Sequence, residues 1–167
     1  MEPVLPGREE IRGRITRLQD ALARQGADGA LLVQKVDLYY FSGTDQDALL
    51  WVPVSGEPLL LVRKSLERAV RDAQMERVVP LKSLRELPER LETPGGPPRR
   101  IGLELDVIPA ALYLRYGRAL PGAELLDASP LVRSVRMVKS AYERSRMRAA
   151  ARIADRLYEQ IPAFMGE

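Results

Sequence analysis

Ala30-Leu31-Leu32-Val33 is an uninterrupted apolar run, preceded by Gly26 and Gly29 and followed closely by Tyr39, Tyr40 and Phe41. A short apolar run without polar alternation reads as a strand buried on both faces, the kind found in α/β sheets covered by helices on each side. The segment that follows such a strand lies at the carboxyl edge of the sheet, where open α/β sheets place their ligands. Tyr39, Tyr40, Phe41 and the turn Ser42-Gly43-Thr44 are therefore expected to form an aromatic loop in a position to contact something.

Composition limits the chemistry. A chain of 167 residues suits one domain of ordinary size, and 46% hydrophobic residues suffice for a real core. The sequence contains no histidine and no cysteine. Thiol nucleophiles, Ser-His and Cys-His dyads, imidazole bases, disulfides and the usual zinc ligands are thereby excluded together. A complete hydrolase of this size without any of these groups is unusual, so part of the catalytic machinery is expected to lie elsewhere and the chain to be truncated.

Lys and Arg number 26 against 23 Asp and Glu, a net charge of +3, and the signs are interspersed as on a solvated surface. The densest basic stretches, 133–139 and 144–156, carry apolar residues at helical spacing, which does not fit a nucleic-acid-binding face. No apolar run is long enough to cross a bilayer, and the amino terminus, with Glu2, Glu9 and Glu10, lacks the pattern of a signal peptide. The cytoplasm is the expected compartment, with neither nucleic acid nor membrane as partner.

Ile11, Ile15, Leu18 and Leu22 recur at helical spacing, which predicts a helix over 8–25 that stops at Gly26. The runs 48–52 and 59–62 flank Pro53-Val54-Ser55-Gly56-Glu57-Pro58 and predict an antiparallel hairpin. A helix over 65–74, a strand over 77–81 and a capping box at Ser83 and Glu86 opening a short helix to Leu91 follow. Beyond the Thr93 to Pro98 loop the pattern gives a strand at 100–103, a helix at 109–120 and a strand at 123–126. The fold class is thus α/β, a mixed sheet of about six strands with flanking helices.

This first domain is expected to close near Arg136. Ser140 and Glu143 form a second capping box, and Met147, Ala150, Ala151, Ala154, Leu157, Tyr158 and Ile161 stripe one face of a long carboxyl-terminal helix. That stripe calls for a partner surface, either the first domain or a second one begun there.

The order of several segments resembles a known family. They are Gly26-Ala-Asp-Gly-Ala-Leu-Leu-Val33, Asp37-Leu-Tyr-Tyr-Phe-Ser-Gly-Thr44, Pro58-Leu-Leu-Leu-Val62, Ile101-Gly-Leu-Glu104 and Arg136-Met-Val-Lys-Ser140 with Glu143. Together they resemble the amino-terminal domain of creatinase/prolidase-type metallopeptidases over nearly the whole chain. The resemblance implies a ribonuclease H-like domain over 1–136, and over 137–167 a linker and the first helix of a truncated "pita-bread" catalytic domain. It further implies that two divalent ions (Mn, Co or Zn), held by two Asp, one His and two Glu, lie in that missing domain, with no cofactor in this chain. The parent would be an Xaa-Pro dipeptidase or aminopeptidase acting on short proline-containing peptides. The amino-terminal domain would be non-catalytic, support a homodimer and send a lid loop, here 40–47, toward the active site. The lid candidates are Tyr40, Ser42, Gly43, Thr44 and Asp45, with Tyr40 as the exposed aromatic. Thr44-Asp45 departs from the bulky apolar residue that many relatives carry after Ser-Gly or Thr-Gly.

The remaining polar residues have plainer readings. Asp37, Asp45 and Asp47 read as loop carboxylates capping backbone donors rather than as a metal cluster. Glu104 and Asp106 would be an acid/base pair only if both faced one cleft, and a capped strand end with solvated carboxylates is the expectation. Ser42 has no base near it in the sequence and is not read as a nucleophile. Two functions from different classes remain: the accessory domain of a dimetal Xaa-Pro peptidase, and a catalytically dead peptidase-like module that binds other proteins.

Overall fold

Two glycines show why the central strands sit where they do. A Cβ on Gly29 would lie 2.3 Å from Cη2 of Trp51, and one on Gly102 would lie 2.7 Å from the Cβ of Ala128. Both positions accept only hydrogen, so the Trp51 indole and the chain at Ala128 can press directly onto the sheet.

The computed structural model describes residues 6–165. They divide into two compact units, one ending at Val135 and the other starting at Arg136. In the first, the strands are β1 (Gly29–Leu32), β2 (Ala48–Pro53), β3 (Leu59–Val62), β4 (Val78–Pro80), β5 (Arg100–Leu103) and β6 (Glu124–Asp127). The sheet order is β4-β3-β2-β1-β5-β6. Strand β2 pairs antiparallel with β1 and β3, whereas β3 with β4, β1 with β5 and β5 with β6 are parallel. The six strands and the hairpin thus match the expected mixed sheet.

The helices are α1 (Arg8–Gln25), α2 (Lys35–Ser42), α3 (Leu66–Asp72), α4 (Leu87–Arg90), α5 (Ala110–Ala119) and α6 (Ser129–Met137). A 3-10 turn at Leu84–Glu86 opens on the expected capping box of Ser83 and Glu86. Helix α1 ends on Gly26 at φ 68°, where the amides of Gly26 and Ala27 return to the carbonyls of Ala23 and Leu22. The core is two-layered. Helices α1, α2, α3 and α6 bury Leu18, Leu22, Phe41, Ala69 and Val132 against Ala30, Leu32, Leu50 and Leu60 on one face. Helices α4 and α5 cover Leu31, Trp51, Leu61, Ile101 and Leu103 on the other. The gapless runs are therefore buried on both faces, as read.

Two elements differ from the sequence reading. The aromatic segment after β1 is a helix, α2, rather than a loop, and α6 follows β6 where no helix was assigned.

The second unit holds α7 (Ala141–Met165). Its capping box forms as expected: the Ser140 amide donates to Glu143 Oε2 at 2.7 Å and the Glu143 amide to Ser140 Oγ at 3.1 Å. Met147, Ile153, Leu157, Tyr158 and Ile161 are exposed. Among the described residues no helix is long and apolar enough to cross a membrane.

Candidate functional site

At the carboxyl edge of the sheet, β1 leads into α2 on one face and the neighbouring β5 leads toward α5 on the other. Adjacent parallel strands that exit to opposite faces open a crevice between them. Here the crevice is filled by Glu104, the residue immediately after β5, which is 1% exposed. Its Oε2 accepts from the amides of Val33 (2.6 Å) and Gln34 (2.9 Å), so it ties the end of β1 to the end of β5.

The other oxygen of Glu104, Oε1, is buried with no hydrogen-bond partner among the described residues. The carboxyl neighbour that acts on Glu104 is Asp37, in the first turn of α2 and 3% exposed. Burial above all, and then the neighbouring Asp37 carboxyl, push Glu104 up to about 8, against the opposing pull of the Val33 and Gln34 amides. Glu104 is therefore not the solvated carboxylate expected, and the carboxyl that acts on it is Asp37 rather than Asp106. Asp106 is exposed and pairs with Arg133.

The lid candidates follow at the end of α2. Ser42, Gly43 and Thr44 are buried, which corrects the expectation of a turn reaching outward. Ser42 Oγ donates to the Leu38 carbonyl at 2.6 Å, and the Ser42 carbonyl accepts from the Gln74 amide at 2.8 Å. Gly43 closes the helix at φ 84°, a conformation that glycine adopts without strain. Tyr40 is half-buried, and Tyr39, at 40% exposure, is the open aromatic of the pair. The accessible part of the turn is Asp45, followed by the half-buried Gln46 and Asp47.

Asp47 lies 3.7 Å from Arg63, and its carbonyl accepts from the amides of Arg63 and Lys64. These residues line an open cleft of about 320 Å³ with Ser65, Pro80 and Lys82 at the ends of β3 and β4. Asp37, Asp45 and Asp47 thus have separate surroundings, and among the described residues no group of three or more His, Cys, Asp or Glu could hold a metal ion.

The family model of the creatinase/prolidase N-terminal domain matches residues 14–138. The chain belongs to that family. It is 26% identical over 156 residues to the uncharacterized peptidase YqhT of Bacillus subtilis, covering 91% of this chain and 43% of the relative. It is 27% identical over 161 residues to the creatinase of Bacillus sp. strain B-0618, covering 89% of this chain and 38% of that one. The fold is shared with the Xaa-Pro dipeptidase from Bacillus anthracis (TM-score 0.81, 24% identity, 93% of this chain and 44% of that one). It is also that of the N-terminal domain of the cytoplasmic peptidase PepQ from Mycobacterium tuberculosis (TM-score 0.65, 23% identity, 74% of this chain and 98% of that one). The chain spans less than half the length of the curated relatives it matches.

Within this creatinase/prolidase domain, sequence reasoning placed the carboxyl edge correctly but missed the Asp37 and Glu104 pair. The two residues lie 67 positions apart, and only the parallel pairing of β1 with β5 brings their strand ends together. The available signal was a glutamate directly after a buried strand, Ile101-Gly-Leu-Glu104, where a charge inside the crevice needs a partner.

Proposed function

We propose that this chain is the non-catalytic amino-terminal domain of a dimetal Xaa-Pro peptidase of the cytoplasm, supporting a homodimer and supplying a lid over the active site. The observation that carries this reading is the family match over 14–138 in a chain less than half as long as its curated relatives. The Ser140 capping box and α7 are, in this reading, the entry into the catalytic domain. The two divalent ions, Mn, Co or Zn, belong to that domain, since this chain has no histidine or cysteine and its described carboxylates form no ligand group. Those ions would supply Lewis-acid activation of water there, and no residue of this chain takes part in that step.

The lid is narrower than the sequence suggests. Asp45 and Gln46 form its reaching part, and Tyr40, Ser42, Gly43 and Thr44 form its anchored base. Short proline-containing peptides are the proposed substrates.

The test compares residues 1–167 with the protein encoded by the whole reading frame, each supplied with Mn²⁺, Co²⁺ or Zn²⁺ and a Gly-Pro or Ala-Pro substrate. Hydrolysis by the whole protein alone is expected. Hydrolysis by residues 1–167 would overturn the assignment. An inactive whole protein lacking the Asp, Asp, His, Glu, Glu set would replace it with a peptidase-like interaction module.

A further inference from the structure

We infer that Glu104 is a positioning residue for the turn from Asp45 to Asp47: by holding the start of α2 it sets the direction in which that helix delivers the turn. The consequence for substrate binding rests on the proposed lid, whereas the hold itself is made of hydrogen bonds within this chain. Only Val33 and Gln34 separate β1 from α2, and one oxygen of Glu104 accepts from both of their amides, at 2.6 and 2.9 Å. Two amides converging on one oxygen fix how the chain leaves the strand. Glu104 lies directly after β5 and is 1% exposed, so the packing around it leaves the carboxyl little room to follow those amides if they move.

Two further ties lie at the far end of α2. Arg14 Nη1 donates to the Tyr40 carbonyl at 2.8 Å, and the Gln74 amide donates to the Ser42 carbonyl at 2.8 Å. Leu38 and Phe41 seat the inner face of the helix in the core, whereas Lys35 and Val36 at its start are exposed. With the start released, α2 would pivot on its tied end. Its eight residues span about 12 Å, so a tilt of about 10° moves one end against the other by about 2 Å.

The turn has little slack to absorb such a change. Gly43, at φ 84°, and Thr44 are buried, the Asp47 carbonyl is fastened to the amides of Arg63 and Lys64, and β2 begins at Ala48. Between these anchors Asp45 and Gln46 take up the shift, and they are the residues proposed to reach the substrate.

The experiment compares Glu104→Gln, Glu104→Asp and Glu104→Met with wild type over residues 1–167. Glu104→Gln keeps a side-chain carbonyl at full reach, Glu104→Asp keeps the carboxyl but withdraws it by one methylene, and Glu104→Met keeps the volume without a strong acceptor. Residual dipolar couplings of the α2 amides, measured against those of β1 and β5, read the direction of the helix. Glu104→Asp and Glu104→Met are expected to tilt α2 by the amount given above and to speed amide exchange at Val33 and Gln34 at least tenfold. Glu104→Gln is expected to leave the helix in place with exchange within twofold of wild type. A helix unmoved in Glu104→Asp and Glu104→Met, or moved equally in Glu104→Gln, overturns the inference. If Glu104→Met does not fold, Glu104→Asp against Glu104→Gln decides it. In wild type, absence of scalar coupling across the hydrogen bonds from Val33 and Gln34 to the Glu104 carboxyl overturns it without any variant. In the whole protein, Glu104→Asp is expected to raise KM for a Gly-Pro substrate at least threefold with kcat within twofold, and Glu104→Gln to keep the wild-type KM. Unchanged KM in Glu104→Asp beside a raised KM in Asp45→Ala counts against Glu104. Unchanged KM in both removes the lid, and the dipolar couplings then decide the hold on α2 alone.

Discussion

The Arg14 guanidinium stacks 4.0 Å from the centroid of the Tyr40 ring and donates to the Tyr40 carbonyl at 2.8 Å. Arg14 is 4% exposed and also binds Glu10 at 3.0 Å, so α1 grips α2 through one buried cation. Replacing Arg14 with Ala removes these contacts together and is expected to cost about 2–3 kcal/mol in urea unfolding. Arg14→Lys should recover less than half of the loss, since an ammonium cannot stack and fork in the same way. Full recovery by lysine would show that charge alone matters here.

Gly29→Ala is expected to destabilise by about 1–3 kcal/mol, because its methyl group would overlap the Trp51 ring. A double-mutant cycle with Trp51→Leu checks the cause. The cost of Gly29→Ala should shrink by about 1 kcal/mol or more in the Trp51→Leu background, and strictly additive losses would count against the clash.

Glu104 gives stability a definite pH slope. A carboxyl whose folded value, about 8, lies above its ordinary 4.5 binds its proton more tightly in the folded chain. Its stabilisation is therefore complete below about 4.5 and is lost as pH rises through about 8. Urea midpoints should fall from pH 5 to pH 9 in wild type and run level in Glu104→Gln, so the variant is the more stable protein at pH 9. Asp127 does not disturb this window. Burial pushes it up, but hydrogen bonds from the Ser129 hydroxyl and amide and from the Leu105 amide, with Arg133 nearby, hold it below its ordinary 3.8. Parallel curves for the two proteins would remove Glu104 as the source of the slope.

Asp45→Ala and Gln46→Ala address the lid. Within residues 1–167 Asp45→Ala should change stability by no more than about 0.5 kcal/mol, as expected for an exposed side chain. Ser42→Ala, which loses a buried hydrogen bond to Leu38, should cost about 1 kcal/mol. In the whole protein the Asp45 and Gln46 variants are expected to raise KM for an Xaa-Pro substrate while changing kcat little. Unaltered KM in both would remove the turn from substrate contact.

Legibility in the sequence followed the range of the interactions. Helix α1 and strands β3 and β5 carry their signals locally, in apolar period, a glycine stop or a gapless apolar run, and their bounds coincide with the reading. Helix α2 carries little such signal. Val36, Tyr39, Tyr40 and Phe41 are modest helix formers, and what holds the segment is distant: Arg14 on α1 and Glu104 after β5. Helix α6 had a readable start in Ser129-Pro130, since proline is favoured in a first turn, but Val132 and Val135 diluted the pattern. The pairing of Asp37 with Glu104 had no local mark, because it depends on which strands are neighbours.

The chain has a single tryptophan, and it is the residue that occupies the space left by Gly29. Trp51 is 1% exposed, and its Nε1 donates to the Glu92 carbonyl at 3.1 Å. An indole held against a bare strand backbone reports on one seam of the sheet only. Its emission is a built-in optical gauge of the β1–β2 seam, and a red shift that precedes loss of helical circular dichroism would mark that seam as the place where the domain first opens.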